Sequence, residues 1–239
     1  MSQGNLFAIG DLHGCVDELE VLLDALAPRR DDLLVFLGDY VDRGPSVRAL
    51  VERLLRLRDA HPACVFLRGN HEDMLLSYLG ISGHHGDVYL ENGGGATLAS
   101  YGVPPGVAGP AAAACIPDSH LDFFRSCVLQ HARGSLLCVH AGIRPGVALG
   151  EQSEEDLLWI RDEFFTQPHA LPYTVVFGHT PAREARVELP YRLGLDTGLV
   201  YGNKLTCFDA DGQRLVQVGR GARHATERDL APDFAAARV

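Results

Sequence analysis

Short apolar runs mark the first third of the chain, and a polar motif closes each one. Leu6 to Ile9 leads into GDLHG, Leu33 to Leu37 into GDYVDRG, and Ala63 to Leu67 into RGNHE. The intervening stretches have helical spacing. Val16, Leu19, Leu22, Leu23 and Leu26 form one apolar stripe, and Val47, Leu50, Val51, Leu54 and Leu55 form the next. Pro28 ends the first helix, and Pro45 stands where the second begins. The order is strand–helix–strand–helix–strand, with parallel strands if the helices are crossovers. In such α/β arrangements ligands gather outside the carboxyl ends of strands, where all three motifs fall.

The pattern then loosens. After a helix near Glu72 to Leu79, residues 80–117 are rich in Gly, Ala and Pro. They are predicted to form a short helix around Ala96 to Tyr101 plus loops, as a cap on one domain rather than a second domain. A helix over Ser119 to Leu129 and a strand over Ser135 to Val139, ending in HAG, follow. Glu154 to Phe165 has the spacing of one amphipathic helix, and Tyr173 to Phe177 reads as a strand ending in GHTP. Tyr191 to Leu195, Lys204 to Asp209 and Gln213 to Val218 alternate like an antiparallel meander. The pattern predicts a single domain over residues 1–218 and a flexible tail over 219–239.

Composition changes this picture in three ways. The formal net charge of -10 argues against a nucleic-acid partner, although bound cations would dominate locally. No apolar run has the length of a membrane span and no secretory signal is evident, so a cytoplasmic chain with no membrane partner is expected. The six cysteines form no CxxC pair and read as buried reduced thiols. Nothing in the sequence demands more than a monomer.

Five polar motifs follow apolar strands: Asp11 with His13; Asp39 with Asp42 and Arg43; Asn70 with His71 and Glu72; His140; and His179. Any one of these would more often be a helix cap or a structural histidine. As a set they offer oxygen and nitrogen donors suited to a borderline cation. One carboxylate such as Asp39 can bridge two cations, which together clamp a phosphorus centre for in-line attack. Glu72 reads as a first-turn helix acid. His61, His84, His85, His120, His131, His169 and His224 lack comparable contexts.

Together GDLHG, GDYVDRG and GNHE, followed by VHAG and GHT, resemble the calcineurin-like metallophosphoesterases, and within them the phosphoprotein phosphatase family. The LLWIR and NGGGATLASYG segments look like its bacterial serine/threonine phosphatases. The likeness runs from about Leu6 to Phe208. It implies an α/β fold with a central β-sandwich of mixed sheets flanked by helices. It also implies roles. Asp11, His13 and Asp39 would hold one metal, and Asp39, Asn70, His140 and His179 a second. A hydroxide bridging the two would attack phosphorus in line. Arg43, Asn70 and Arg161 would bind phosphate oxygens, with Arg144 a rival to Arg161. His71 would be the general acid, oriented by Asp42, which would bind no metal.

The activity so implied is a dinuclear-metal phosphomonoesterase. Its expected substrates are phosphorylated proteins or peptides, with small phosphate esters as further ones. The alternatives are a symmetrical dinucleoside tetraphosphatase or other small-molecule phosphoesterase, and a non-catalytic metal-binding regulator. The full ligand set together with His71, Asp42 and Arg43 speaks against the regulator. Mn2+ is the metal implied, with Fe or Zn as alternatives.

Overall fold

In the computed structural model, which describes residues 4–237, three strands of the amino-terminal third lie side by side in parallel. They are β1 (Leu6–Ile9), β2 (Leu33–Phe36) and β3 (Cys64–Phe66), crossed over by α1 (Val16–Leu26) and α2 (Val47–Ala60). Leu6 stands opposite Leu33, and Leu34 opposite Cys64. Next come α3 (Asn70–Tyr78), α4 (Gly95–Ser100), α5 (Gly109–Ala113) and α6 (Asp118–Ser126). The second half contributes β4 (Gln130–Arg133), β5 (Leu136–Val139), α7 (Glu154–Trp159), α8 (Asp162–Thr166), β6 (Thr174–Phe177), β7 (Arg186–Glu188) and β8 (Arg192–Gly194). The chain ends in β9 (Lys204–Asp209), β10 (Arg214–Gly219), β11 (Thr226–Asp229) and α9 (Ala231–Ala236).

The strands form two mixed sheets, β11-β10-β9-β1-β2-β3 and β4-β5-β6-β8-β7. The twofold alternation along each strand separates the core into layers. Phe7 and Ile9 of β1 join the helix-side cluster with Leu19, Leu22, Leu50 and Leu54. Leu6 and Ala8 of the same strand join Val35, Val176 and Leu193 between the sheets. Behind the second sheet, Val139, Val175 and Phe177 pack with Leu157 and Phe164. The layers are therefore helix, sheet, sheet, helix.

Several elements depart from the sequence pattern. The stretch predicted as one helix over Glu154 to Phe165 is two, α7 and α8. It breaks where Ile160 turns extended (ψ 142) and Arg161 leaves helical geometry (φ -134, ψ -93). The predicted meander is split between sheets. β9 and β10 pair antiparallel, whereas β8 lies in the other sheet, parallel to β6. The stretch expected as a flexible tail carries a strand and a helix, β11 and α9. β11 pairs with β10, Leu230 is buried, and the Phe234 ring stacks on Phe208 at 6.0 Å. Residues 238–239 of that tail lie outside the described residues.

Helix α6 stops at Ser126 rather than at Leu129, because Cys127 turns extended and Val128 bridges to Leu67 beside β3. Strands β4 and β7 escape the apolar pattern because they are short, polar edge strands. Residues 80–117 send Tyr89, Leu98, Tyr101, Val103, Ala112 and Ile116 into the same core as α2 and α3. The six cysteines are unpaired, and burial pushes the Cys15 thiol up to about 11 and that of Cys138 to about 12. No helix among the described residues is long and apolar enough to cross a membrane.

Candidate metal centre

The carboxyl ends of strands from both sheets meet at one edge of the sandwich. Asp11 and His13 follow β1, Asp39 follows β2, Asn70 opens α3 after β3, His140 follows β5 and His179 follows β6. Several of these residues adopt the left-handed backbone that side chains disfavour: His13 (φ 41), Asp39 (φ 54), Asp42 (φ 70), Arg43 (φ 65) and His179 (φ 65). Such strain persists only where the surroundings over-determine it.

Glu72 provides much of that hold. Its Oε2 accepts the N–H groups of Asp39 and Gly69, both at 2.9 Å, and its Oε1 those of Tyr40 at 2.7 Å and Val41 at 3.1 Å. The first turn of α3 thereby clamps the loop after β2. Gly69 makes the approach feasible, since a Cβ there would collide with Asp39 Oδ1. Glu72→Gln turns one acceptor into a donor and leaves two buried N–H groups unpaired. A loss of about 2–4 kcal/mol is expected in urea unfolding, and an unchanged midpoint would show that Glu72 is not the clamp.

Asp39 sits at the centre of the cluster. Its Oδ2 lies 3.5 Å from His13 Nε2 and 4.0 Å from His71 Nε2, and its Oδ1 lies 3.4 Å from His140 Nε2. The candidate ligand atoms of His13, Asp39 and His71 all lie within 4.8 Å of one another, as do those of Asp39, His140 and His179. Asn70 Oδ1 lies 2.9 Å from both His140 Nε2 and His179 Nδ1. Asp11 accepts the His179 N–H at 3.0 Å, which joins β1 to the second sheet.

The protonation pattern suits cations. His13 Nδ1 donates to Val41 O and His140 Nδ1 to Leu37 O, each at 2.7 Å, so their Nε2 lone pairs face inward. Burial lowers His13 to about 3 and also lowers His140 and His179, keeping all three rings neutral near pH 7. His140 Nε2, Asn70 Oδ1 and Asp39 Oδ1 are then three converging acceptors without a hydrogen between them, and a cation satisfies them. Burial opposes charge on Asp39, but in acid, where the surrounding rings of His140, His71, His13 and His179 take up protons, their charge outweighs burial and holds the carboxyl far below its usual range. Burial, then Asp196 and Asp39, raise Asp11 well above that range. Metal charge relieves such carboxylate crowding. The residues present therefore fit divalent cations.

Beside this cluster, His71 Nδ1 bonds Asp42 Oδ2 at 2.6 Å in a pocket closed to solvent. Burial works against a charged His71 ring, but Asp39 and Asp42 prevail and raise its pKa. Two arginines flank the cluster. Arg43 Nη1 donates to His13 Nε2 at 2.8 Å, and Arg161 Nε to His179 Nε2 at 3.2 Å. The break between α7 and α8 is what swings Arg161 inward. Arg144 is occupied elsewhere, paired with Asp156 and Glu163. His84 and His85 pair with Asp73 and Glu155 on the rim. His61 and His169 donate to backbone carbonyls, and His120 pairs with the Tyr101 hydroxyl.

Sequence reasoning passed over four participants besides the Glu72 clamp. Tyr89 and Thr97 bond Asp42 from within residues 80–117, Asp196 crowds Asp11, and Tyr201 stands beside Arg43. Asp196 had a usable signal, since Asp196-Thr197-Gly198 is another polar motif directly after a predicted strand, Tyr191 to Leu195. The other three had none. A cavity of about 670 Å³ lies at the opposite, amino ends of β1, β5 and β6, among Leu6, Leu136, Thr174 and Phe234.

Comparison with known proteins gives the same picture. The chain is 27% identical to the asymmetrical bis(5'-nucleosyl)-tetraphosphatase PrpE of Bacillus cereus, over 88% of this chain and 92% of that protein. A crystal structure presented as a candidate diadenosine tetraphosphatase superposes with a TM-score of 0.70 at 25% identity, covering 91% of this chain and 94% of that one. A cold-active protein tyrosine phosphatase shares the fold, with a TM-score of 0.61 at 17% identity over 96% of this chain and 79% of that one. Residues 4–205 match the calcineurin-like phosphoesterase model, and the chain belongs to that family of metal-dependent phosphoesterases.

Proposed function

We propose that this protein hydrolyses dinucleoside polyphosphates, cleaving them asymmetrically. The observation that carries this is Tyr201, a residue 62% exposed whose ring centroid stands 5.6 Å from the Arg43 guanidinium carbon. Its turn is pinned from behind by Asn203 Nδ2, which donates to Thr197 O at 2.6 Å. An exposed aromatic face beside an arginine that would bind phosphate suits a nucleobase better than a serine side chain. Trp159 offers a second aromatic surface on the other side, 6.1 Å from the His179 ring. The names of the relatives support the same substrate class. They favour a dinucleotide over the phosphoprotein expected from the sequence, and the asymmetrical cut over the symmetrical one weighed there as an alternative.

Asp11, His13 and Asp39 would hold one cation, and Asp39, Asn70, His140 and His179 the other. When bound, the cations supply a water ionised near neutral pH and charge that offsets the phosphate oxygens. Mn2+ is our choice, and Fe and Zn suit the same donors. Arg43 and Arg161 grip phosphate oxygens with planar forks, and Asn70 adds an amide donor. His71 gives its Nε2 proton to the departing oxygen.

One observation favours the second reading, a serine/threonine protein phosphatase. The His71–Asp42 pair is built to protonate a leaving group, which a serine alkoxide needs far more than a phosphate leaving from an anhydride does. The deciding measurement is kcat/KM with Mn2+ for diadenosine tetraphosphate against a phosphoserine peptide. The dinucleotide should be preferred, and the opposite ranking would select the phosphatase. Inactivity with Mn, Fe, Co, Ni and Zn alike would sink both. Tyr201→Ala should cost the dinucleotide about tenfold in kcat/KM while sparing inorganic tripolyphosphate. Equal losses on both would mean that Tyr201 acts only through Arg43.

A further inference from the structure

The carboxylate of Asp42 is one of the fully enclosed polar groups at the site. It is fully buried, and so are the two side chains that hold it. Tyr89 Oη donates to its Oδ1 at 2.7 Å, and Thr97 Oγ1 donates to the same oxygen at 2.6 Å. Thr97 Oγ1 also accepts the Asp42 N–H at 2.8 Å, so one hydroxyl ties backbone and side chain of the same residue. Asp42 has φ 70, a strained value for a non-glycine residue, and this clasp opposes its relaxation. With Oδ1 engaged twice, only Oδ2 is left for His71 Nδ1, at 2.6 Å. Rotation of the carboxyl group would break three bonds.

We infer that Tyr89 and Thr97 are positioning residues for proton transfer, holding Asp42 so that His71 keeps Nε2 aimed at the leaving oxygen. The inference rests on His71 being the proton donor. The proton passes from His71 Nε2 to the oxygen as its bond to phosphorus breaks, and Asp42 takes none. Residues 80–117 then do more than pack against the core of α2 and α3, because their two hydroxyls complete the acid. Neither residue reaches the metal ligands, so cation content should be untouched.

The test uses Thr97→Val, Thr97→Ser and Tyr89→Phe in the intact chain. The first reading is the His71 Nδ1 proton resonance, assigned by its absence in His71→Asn. Thr97→Val and Tyr89→Phe should shift or broaden it, and Thr97→Ser, which keeps the hydroxyl, should restore it. The second reading is leaving-group dependence. Thr97→Val should lower kcat about tenfold on a phosphoserine peptide but little on an activated aryl phosphate, with Thr97→Ser near wild type. An unmoved resonance in both Thr97→Val and Tyr89→Phe overturns the inference, as does an equal loss on the two substrates. Failure of the His71 assignment shows separately, as a loss in His71→Asn that ignores the leaving group while the resonance still responds to Thr97→Val.

Discussion

Asp39→Asn is expected to disable both halves of the metal centre at once, with kcat/KM falling by about 10³-fold. The carboxylate faces His13 and His71 with Oδ2 and His140 with Oδ1, so it is the only group common to both candidate ligand sets. An amide keeps the shape but loses the charge and one acceptor, and four surrounding rings lose the anion they face. Elemental analysis of the purified variant should find both cations depleted together, whereas a His13 or His140 variant should deplete one more than the other. Two firmly bound cations per chain in Asp39→Asn would remove Asp39 from the bridging role.

The second large effect concerns His71. His71→Asn is expected to lower kcat by about 10²–10⁴-fold on a phosphoserine peptide and far less on an activated aryl ester. The ring nitrogen of His71 also lies within reach of Asp39, so a metal-ligand role is the competing assignment. Elemental analysis separates the two. A proton donor leaves cation content unchanged when it is removed, and a ligand does not. Equal kinetic losses on both esters would also end the acid assignment. Asp42 stays with the acid here: its oxygens are taken by His71, Tyr89 and Thr97, and it joins neither candidate ligand set.

Much of the framework was legible because local rules carried it. The first three strands and two helices follow from apolar runs and helical spacing, and the structure places them within a residue or two. The motif residues were legible for a related reason. Each follows a strand, and in a layered α/β fold the carboxyl ends of strands meet at one edge. Where local spacing failed, a tertiary contact had prevailed. Glu154 to Phe165 has good helical spacing throughout, yet the helix breaks at Ile160 and Arg161. The break lets Phe164 bury behind the second sheet and brings Arg161 to His179. The carboxyl-terminal stretch looked too polar to order, but β10 presented a free edge for β11 and Phe208 a ring for Phe234.

The sequence by itself determined the α/β class and which oxygen and nitrogen donors stand at the strand ends. Those depend on residue types at strand ends, which the chain states directly. Tertiary structure alone decided the division of labour around them. It broke a helix so that Arg161 reaches His179 while Arg144 pairs with Asp156 and Glu163, and it made Glu72 the clamp of the loop after β2. It also brought Tyr89 and Thr97 more than forty positions along the chain to Asp42, and set Tyr201 beside Arg43. Hydrogen bonds between residues far apart in sequence leave no local period or spacing, so only the folded chain reveals them.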